Sequence, residues 1–380
     1  MSTTSSTATS STAATSAAAF PLAFEQTPSQ TARADAEREA ILADPGFGKH
    51  FTDHMVQIDW TLDGGWHDAR VVPYGPLQLD PAASVLHYGQ EIFEGMKAYA
   101  HADGSVWTFR PDRNAARLQR SARRLALPEL STEDYIESVK QLVRADIDWV
   151  PRAAEQSLYL RPFMIANESF LGVRAAQRVG YYVIASPAGA YFTGGVAPVS
   201  IWLSTQYSRA GKGGTGAAKC GGNYAASLLP QAEAASHGCA QVLFLDSEEG
   251  RYLEELGGMN IVLVYKDGRI VTPDSESILE GITRDSILEL ARDRGLTVEK
   301  RRVELSEWVE GVESGEITEV FACGTAAVIT PIGRLMGEGL DVGDIDAPAG
   351  ELTMSLRQEL TDIQYGRIPD RHGWLTRLDA

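Results

Sequence analysis

The chain has 380 residues, 44% of them apolar and 22% charged, enough for two domains with separate cores. Its net charge of −17 excludes binding of nucleic acid or anionic membrane through the overall field, so an anionic ligand must find a local cluster of donors. Three cysteines with no C-x-x-C pair argue against a disulfide framework and for a reducing, cytoplasmic compartment, and no apolar run approaches the ~18 residues of a membrane span.

Residues 1–19 are almost pure Ser, Thr and Ala. Such a segment buries too little apolar surface to offset its ordering, and a disordered tail over 1–30 is expected. It has neither the Arg content of a transit peptide nor the apolar stretch of a signal peptide. A helix over 31–43 is ended by Pro45-Gly46. Strands follow over 51–60 and 69–74, with Asp63-Gly64-Gly65 turning between them. In the stretch from Leu86 to Lys97, Tyr88 and Phe93 read by themselves as core aromatics.

The strand over 106–110 ends at Arg110-Pro111 and leaves a guanidinium at a strand end. A planar five-donor fork suits a phosphate. The basic helix after it carries Asn114, Arg117, Arg120, Arg123 and Arg124, and most of these arginines are expected to pair with surface acids. A helix over 132–143 has Tyr135, Val139 and Leu142 on one face. In a strand over 157–162, Tyr159 and Arg161 point to one side, an arrangement that suits either a ligand carboxylate or a structural acid. Residues 180–186 read as a buried strand, and the irregular run 187–199 as the interdomain connection. This gives a small N-terminal domain over 31–186 and a larger one over 200–380.

The larger domain opens with a strand at 199–204 and the stretch Gly211 to Gln231, GKGGTGAAKCGGNYAASLLPQ. A phosphate loop would need Gly-Lys-Ser/Thr, but Lys219 precedes Cys220 and Lys212 precedes Gly213. Gly211, Gly213 and Gly216 spell a dinucleotide fingerprint, yet the nearest strand ends too early and the helix begins only after Gly222. Two readings remain: a surface lysine in a flexible loop, or a lysine that condenses with an aldehyde cofactor and, once released, acts as a neutral base. A helix over 223–237 ends at Gly238, and 241–246 is a buried strand. Glu254 and Glu255 lie beside Gly257-Gly258, before a strand and hairpin over 261–272. Gly281-Ile282-Thr283 opens a helix to Arg294, and such a start presents free N–H groups to an anion, an ordinary Thr N-cap being compatible with it. A strand over 298–303, a helix over 306–314 and a strand over 319–323 lead into Gly324-Thr325-Ala326-Ala327, and a helix over 352–365 closes the fold.

The order Lys-Cys-Gly-Gly-Asn-Tyr-Ala-Ala-Ser resembles the lysine segment of the branched-chain amino acid aminotransferases, pyridoxal-phosphate enzymes of fold type IV. Leu86-His87-Tyr88 through Phe93-Glu94-Gly95-Met96-Lys97 resembles their LHYxxxxFEGMK segment, and the likeness extends from Phe47 to Trp374. The resemblance implies a two-domain α+β and α/β architecture. It implies transamination of leucine, isoleucine and valine with 2-oxoglutarate, pyridoxal 5'-phosphate on Lys219, and a homodimer. Arg110, Ile282, Thr283 and Thr325 would hold the phosphate, Tyr224 the ring hydroxyl, and Glu255, with Glu254 as second choice, the ring nitrogen. Phe47, Tyr88, Phe93, Tyr159 and Tyr191 would wall the substrate side chain, with Arg161 near its polar end and small Gly258, Ala326 and Ala327 leaving room. Many members have Thr where this chain has Gly258. Mammalian members have a redox C-x-x-C where this chain has Ala327 and Thr330, so no thiol switch is expected there. Two other classes stay open: a fold type IV D-amino acid aminotransferase or aminodeoxychorismate lyase, and a nucleotide-dependent oxidoreductase using Gly211 to Gly216.

Overall fold

A computed structural model describes residues 21–190 and 195–380. The tail over 1–20 and Tyr191 lie outside them. The first part of the chain contributes β1 (Glu25–Gln26), α1 (Asp35–Ala43), β2 (His54–Thr61), β3 (Gly65–Pro73), α2 (Ser84–Tyr88), β4 (Glu91–Phe93), β5 (Met96–Ala100), β6 (Val106–Phe109), α3 (Pro111–Arg124), α4 (Thr132–Ala145), β7 (Ser157–Ala166) and β8 (Arg178–Ala188). The second contributes β9 (Val199–Ser204), α5 (Gly221–Ser236), β10 (Gln241–Leu245), β11 (Leu253–Leu256), β12 (Asn260–Tyr265), β13 (Ile270–Pro273), α6 (Ile282–Asp293), β14 (Val298–Arg301), α7 (Leu305–Ser314), β15 (Ile317–Gly324), β16 (Val328–Gly337), β17 (Leu340–Gly343), α8 (Glu351–Gln364) and β18 (Leu375–Arg377).

The strands form two sheets. The first runs β1-β3-β2-β8-β7-β5-β6-β18 with β4 beside β7, and the second β11-β10-β9-β16-β15-β12-β13-β14 with β17 beside β16. The long antiparallel pair β7–β8, Ser157 facing Ala188 through Ala166 facing Val179, is the spine of the first sheet. One face of that sheet packs on α3 and α4 around Leu118, Tyr135, Leu142 and Tyr181. The second sheet is mixed, with β9 parallel to both β10 and β16. Its faces bury separate cores, one with Trp308 of α7 and one with Leu288 of α6 and Leu360 of α8. The latter core also takes in Tyr99 and Phe109 of the first sheet, so the two halves share apolar packing.

Several expected boundaries move. The first helix starts at Asp35 rather than 31, because the chain before it turns at Gln30-Thr31 and is tied down by Ser29 N–H donating to His54 and Arg33 N–H donating to Asp53. The tail expected over 1–30 overshoots, since Glu25–Gln26 pairs in parallel with Arg70 and Val71. A second domain drawn as 200–380 does not follow the sheets either. Strand β18 crosses back to pair with β6, and Leu378 after it is fully buried in the first core.

Two contacts test this seam. Leu378→Ala, two residues from the chain end, should cost about 2–5 kcal/mol in urea unfolding, as buried leucines do; an unchanged midpoint would show that the C-terminal strand is not docked. Lys97 of β5 donates to the carbonyl of Ala326 at 2.7 Å, across the two halves. Burial pushes its amine down from 10.5 to about 8, helped by the Arg357 guanidinium and opposed by Glu155. Between those values the unfolded chain holds a proton that the folded chain has lost, so stability from this group rises with pH. Relative to Lys97→Met, the native chain should therefore gain thermal stability from pH about 8 to about 10.5, and a constant gap would refute the depressed amine.

Candidate active site

Lys219 lies in the loop before α5, yet its backbone is gripped by the first half of the chain. Its N–H donates to Ser121 Oγ of α3 at 2.9 Å, and its carbonyl accepts from Phe93 N–H of β4 at 3.0 Å. Its neighbours Ala218 and Cys220 are buried in the N-terminal core. The side chain emerges into a cavity of about 220 Å³ between the sheets. The flexible surface loop is thereby excluded as a description of this lysine. The dinucleotide fingerprint fails as well, because no helix opens at Gly216 and a side chain there would collide with the Ser277 carbonyl.

Within the cavity Lys219 Nζ donates to the Tyr224 hydroxyl at 2.6 Å. Tyr224 sits in the first turn of α5, with its ring 5.0 Å from that of Phe93. Burial pushes the Lys219 amine down from 10.5 to about 8, and the Arg117 guanidinium adds to this against the opposing pull of Glu94. Burial pushes the Tyr224 hydroxyl up to about 12, with Glu255 adding to it, so the phenol keeps its proton. The amine therefore loses its proton far more readily than an ordinary lysine, which is the direction a nucleophile or base requires.

Glu255 lines the same cavity. Both glutamates belong to the buried strand β11 rather than to a solvated turn, and strand alternation sends them to opposite sides. Glu254 turns away to Ser277, while Glu255 Oε1 accepts from Leu279 N–H at 2.8 Å and lies 2.6 Å from Arg209 Nη2 in an ion pair, and Oε2 accepts from Asn260 Nδ2 at 3.3 Å. Burial raises the Glu255 carboxyl against the opposing Arg209 guanidinium.

Ile282 and Thr283 form the first turn of α6 and line the cavity. The N-cap is Gly281, not Thr283, and it offers no side-chain cap, so first-turn N–H groups are left for an anion. A side chain at Gly281 would overlap Asn260 Oδ1. Thr325 and Ala326 line the cavity from the turn between β15 and β16, which Val328 closes with φ 63, a conformation rare for a β-branched residue. Phe47, Phe93, Tyr159, Arg161 and Gly258 complete the walls. Arg161 donates to the Tyr159 hydroxyl at 2.9 Å and lies 4.7 Å over the Phe93 ring.

Three expected positions depart from this picture. Arg110 lines an adjoining cavity of about 170 Å³ that shares Gly281 and Ile282 with the first. Its backbone is left-handed at φ 48, and its guanidinium donates to Ser286 Oγ at 2.7 Å and Asp285 at 2.9 Å, both on α6. Tyr88 is exposed, because Gly89 ends α2 in a left-handed turn and the hydroxyl donates to the Leu171 carbonyl instead. Ala327 is buried behind the turn and does not reach the cavity.

Sequence reasoning missed a buried pair. Arg117, grouped above with surface arginines, is buried and makes two bonds to the fully buried Glu94, 2.7 Å and 2.8 Å, with Asn114 Nδ2 on Glu94 Oε2 at 2.8 Å. The available signal was helix spacing: Asn114, Arg117 and Ser121 share one face of α3.

Known proteins bear on this site. The class IV amino-transferase family model matches residues 91–335. A branched-chain-amino-acid aminotransferase of Mycolicibacterium smegmatis is 59% identical over 364 residues, 94% of this chain and 99% of that protein. Among solved structures, the branched-chain amino acid aminotransferase of Thermobaculum terrenum in its PLP-form is 26% identical, with a TM-score of 0.70 over 86% of this chain and 98% of its own. The branched-chain amino acid aminotransferase of Escherichia coli is 27% identical, with a TM-score of 0.65 over 86% of this chain and 100% of its own. Matches that span nearly the whole chain leave little room for a separate ancestry: the chain belongs to the class IV aminotransferases, with their two-domain fold type IV architecture, and within them to the branched-chain-amino-acid aminotransferases.

Proposed function

We propose that the chain transfers the amino group of leucine, isoleucine or valine to 2-oxoglutarate, giving the branched-chain 2-oxo acid and L-glutamate in two half-reactions on pyridoxal 5'-phosphate. The observation that carries this is the Lys219 amine, 2.6 Å from the Tyr224 hydroxyl, in a cavity with a carboxylate on one side and an uncapped helix start on another.

The donor set fits the cofactor. An amine with depressed basicity, a phenol that stays protonated, a buried carboxylate and a turn of free N–H groups are what an aldehyde, a ring oxygen, a ring nitrogen and a phosphate each require. When bound, pyridoxal phosphate supplies the carbonyl that takes the amine and the electron-poor ring that stabilises negative charge at the substrate Cα. Lys219 would hold it, and its free amine would carry a proton to and from the substrate Cα on Nζ as base and acid. Tyr224 fixes the direction of that amine. Glu255 would accept a hydrogen bond from the ring nitrogen and so keep its proton there. The first turn of α6 and Thr325 would bind the phosphate, and Arg110 braces that helix through Asp285 and Ser286. Phe47, Phe93 and Tyr159 exclude water from the reacting carbon and receive a branched side chain. Arg161 beside the Tyr159 hydroxyl supplies the polar end that glutamate needs in the same space. The relatives favour this reading over a D-amino acid aminotransferase or a lyase, since the curated protein compared above is named for branched-chain amino acids.

The active form is a cytoplasmic homodimer in this proposal. Its three cysteines are free and buried, and Tyr88 belongs to an exposed apolar patch with Leu86, Phe170, Leu171 and Val173. Light scattering should give twice the chain mass, and a monomer at micromolar concentration would refute it.

Borohydride reduction of the yellow holoenzyme should fix the cofactor on the peptide containing Lys219. Lys219→Ala should fold, by circular dichroism, and lose at least about 10²–10⁴-fold in transamination rate, the share that general acid–base catalysis carries. Full activity in that variant, or half-reactions with D-alanine but not L-leucine, would overturn the proposal.

A further inference from the structure

The Glu255 carboxylate faces the cavity, but much of what holds it does not. Arg209 lies in the loop between β9 and Lys219 and does not line the cavity. Its guanidinium is buried, with its side chain 5% exposed, and Nη2 lies 2.6 Å from Glu255 Oε1. The same Nη2 donates to the carbonyls of Gly216 and Ser277, which hold the guanidinium in place. Among the described residues Glu255 is the only carboxylate at ion-pair distance from Arg209. With Leu279 N–H also on Oε1, and only Asn260 on Oε2 at 3.3 Å, the second oxygen is the one left with capacity toward the cavity.

We propose that Arg209 is a positioning residue for the reaction, which from outside the cavity keeps Glu255 charged and oriented so that the cofactor ring nitrogen stays protonated. This rests on the cofactor reading given above. A carboxyl on a fully buried strand is otherwise driven to the neutral acid by the loss of water. The groups facing it are mixed. Glu254 beside it disfavours its charge, the Leu279 N–H and, from farther away, Arg284 of α6 favour it, and Tyr224 of α5 and Cys323 of β15 keep their protons and stay neutral. Among the described residues Arg209 is the one cation in direct contact. A neutral Glu255 accepts a hydrogen bond from the protonated ring nitrogen less well, and the ring then withdraws electrons less well. Arg209 also ties the loop that carries Lys219 to the segment before α6, so a purely architectural role is the competing explanation.

The test compares holoenzymes of Arg209→Gln, Arg209→Met, Arg209→Lys, Glu255→Gln and the double variant Arg209→Gln/Glu255→Gln. The readouts are the pH titration of bound-cofactor absorption, cofactor retention on dialysis, and the rate of the L-leucine half-reaction. Arg209→Gln and Arg209→Met should displace the spectral titration in the direction of Glu255→Gln and slow the half-reaction by about 10- to 100-fold, as loss of an orienting partner does. Arg209→Lys, which keeps the charge, should recover most of the rate. Glu255→Gln should show no further spectral displacement when Arg209→Gln is added. If the charge-removing variants keep the native titration while Glu255→Gln is displaced, Arg209 is architectural and the proposal falls while the cofactor reading stands. If Glu255→Gln itself keeps the native titration, Glu255 does not face the ring and both fall. The two charge-removing variants differ in polarity and shape, so one folded protein is enough to decide.

Discussion

The peptide of Lys219 is fastened on both sides, its N–H to Ser121 of α3 and its carbonyl to Phe93 of β4. A lysine side chain has four rotatable bonds and samples many positions when its backbone is loose. Here the backbone belongs mechanically to one half of the molecule, while Tyr224 of α5 and Glu255 of β11 belong to the other. The 2.6 Å contact with Tyr224, five residues along, is local, but the amine faces the cavity that Glu255 lines only when the halves are docked. Catalytic geometry and interdomain packing are therefore a single constraint, and loss of fit far from the amine costs reactivity at it.

Charge is arranged locally against an unfavourable total. A chain of −17 repels anions at long range. Around the start of α6, however, Arg110, Arg113, Arg120 and Lys300 surround the adjoining cavity, opposed by Glu280 and Asp285. Screening limits the global repulsion to about 8–10 Å in physiological salt, so the nearby cations and the helix start decide whether a phosphate is held. The same logic applies at the amine. Arg117 lowers the basicity of Lys219 and Glu94 raises it, and because that pair is buried salt screens its charges less than it screens charges on the surface.

What was legible in the sequence was local. The order of Lys219, Tyr224 and the small residues between them fixes their mutual placement within one loop and one helical turn. The helix start at Gly281 and the apolar strands carry equally short-range signals. What was not legible depends on partners far along the chain. Arg117 looks like any surface arginine until Glu94, from a different strand, is folded beneath it. Glu254 and Glu255 are chemically identical neighbours, and only the pleat of β11 separates them. Tyr88 was misplaced for the same reason: its motif says that an aromatic is present, whereas the left-handed Gly89 sends it to the surface beside Leu171. Ala327 shares a turn with Ala326, but only one of two adjacent residues faces the cavity.

The C-terminal strand completes the coupling between halves. Arg110 N–H donates to the Trp374 carbonyl at 2.7 Å, and the Arg110 guanidinium lies 5.1 Å over the Trp374 ring. Arg110 therefore touches the end of the chain through its backbone and ring contact, and α6 through Asp285 and Ser286. Its left-handed backbone at φ 48 is strained for an arginine, and such strain persists only where neighbours over-determine it. An occupant gripped by α6 on one side and Lys219 on the other spans the same seam that Trp374 and Lys97 close from outside. Binding energy there must appear partly as interdomain stability, because any ligand held by both halves favours the arrangement in which they are docked.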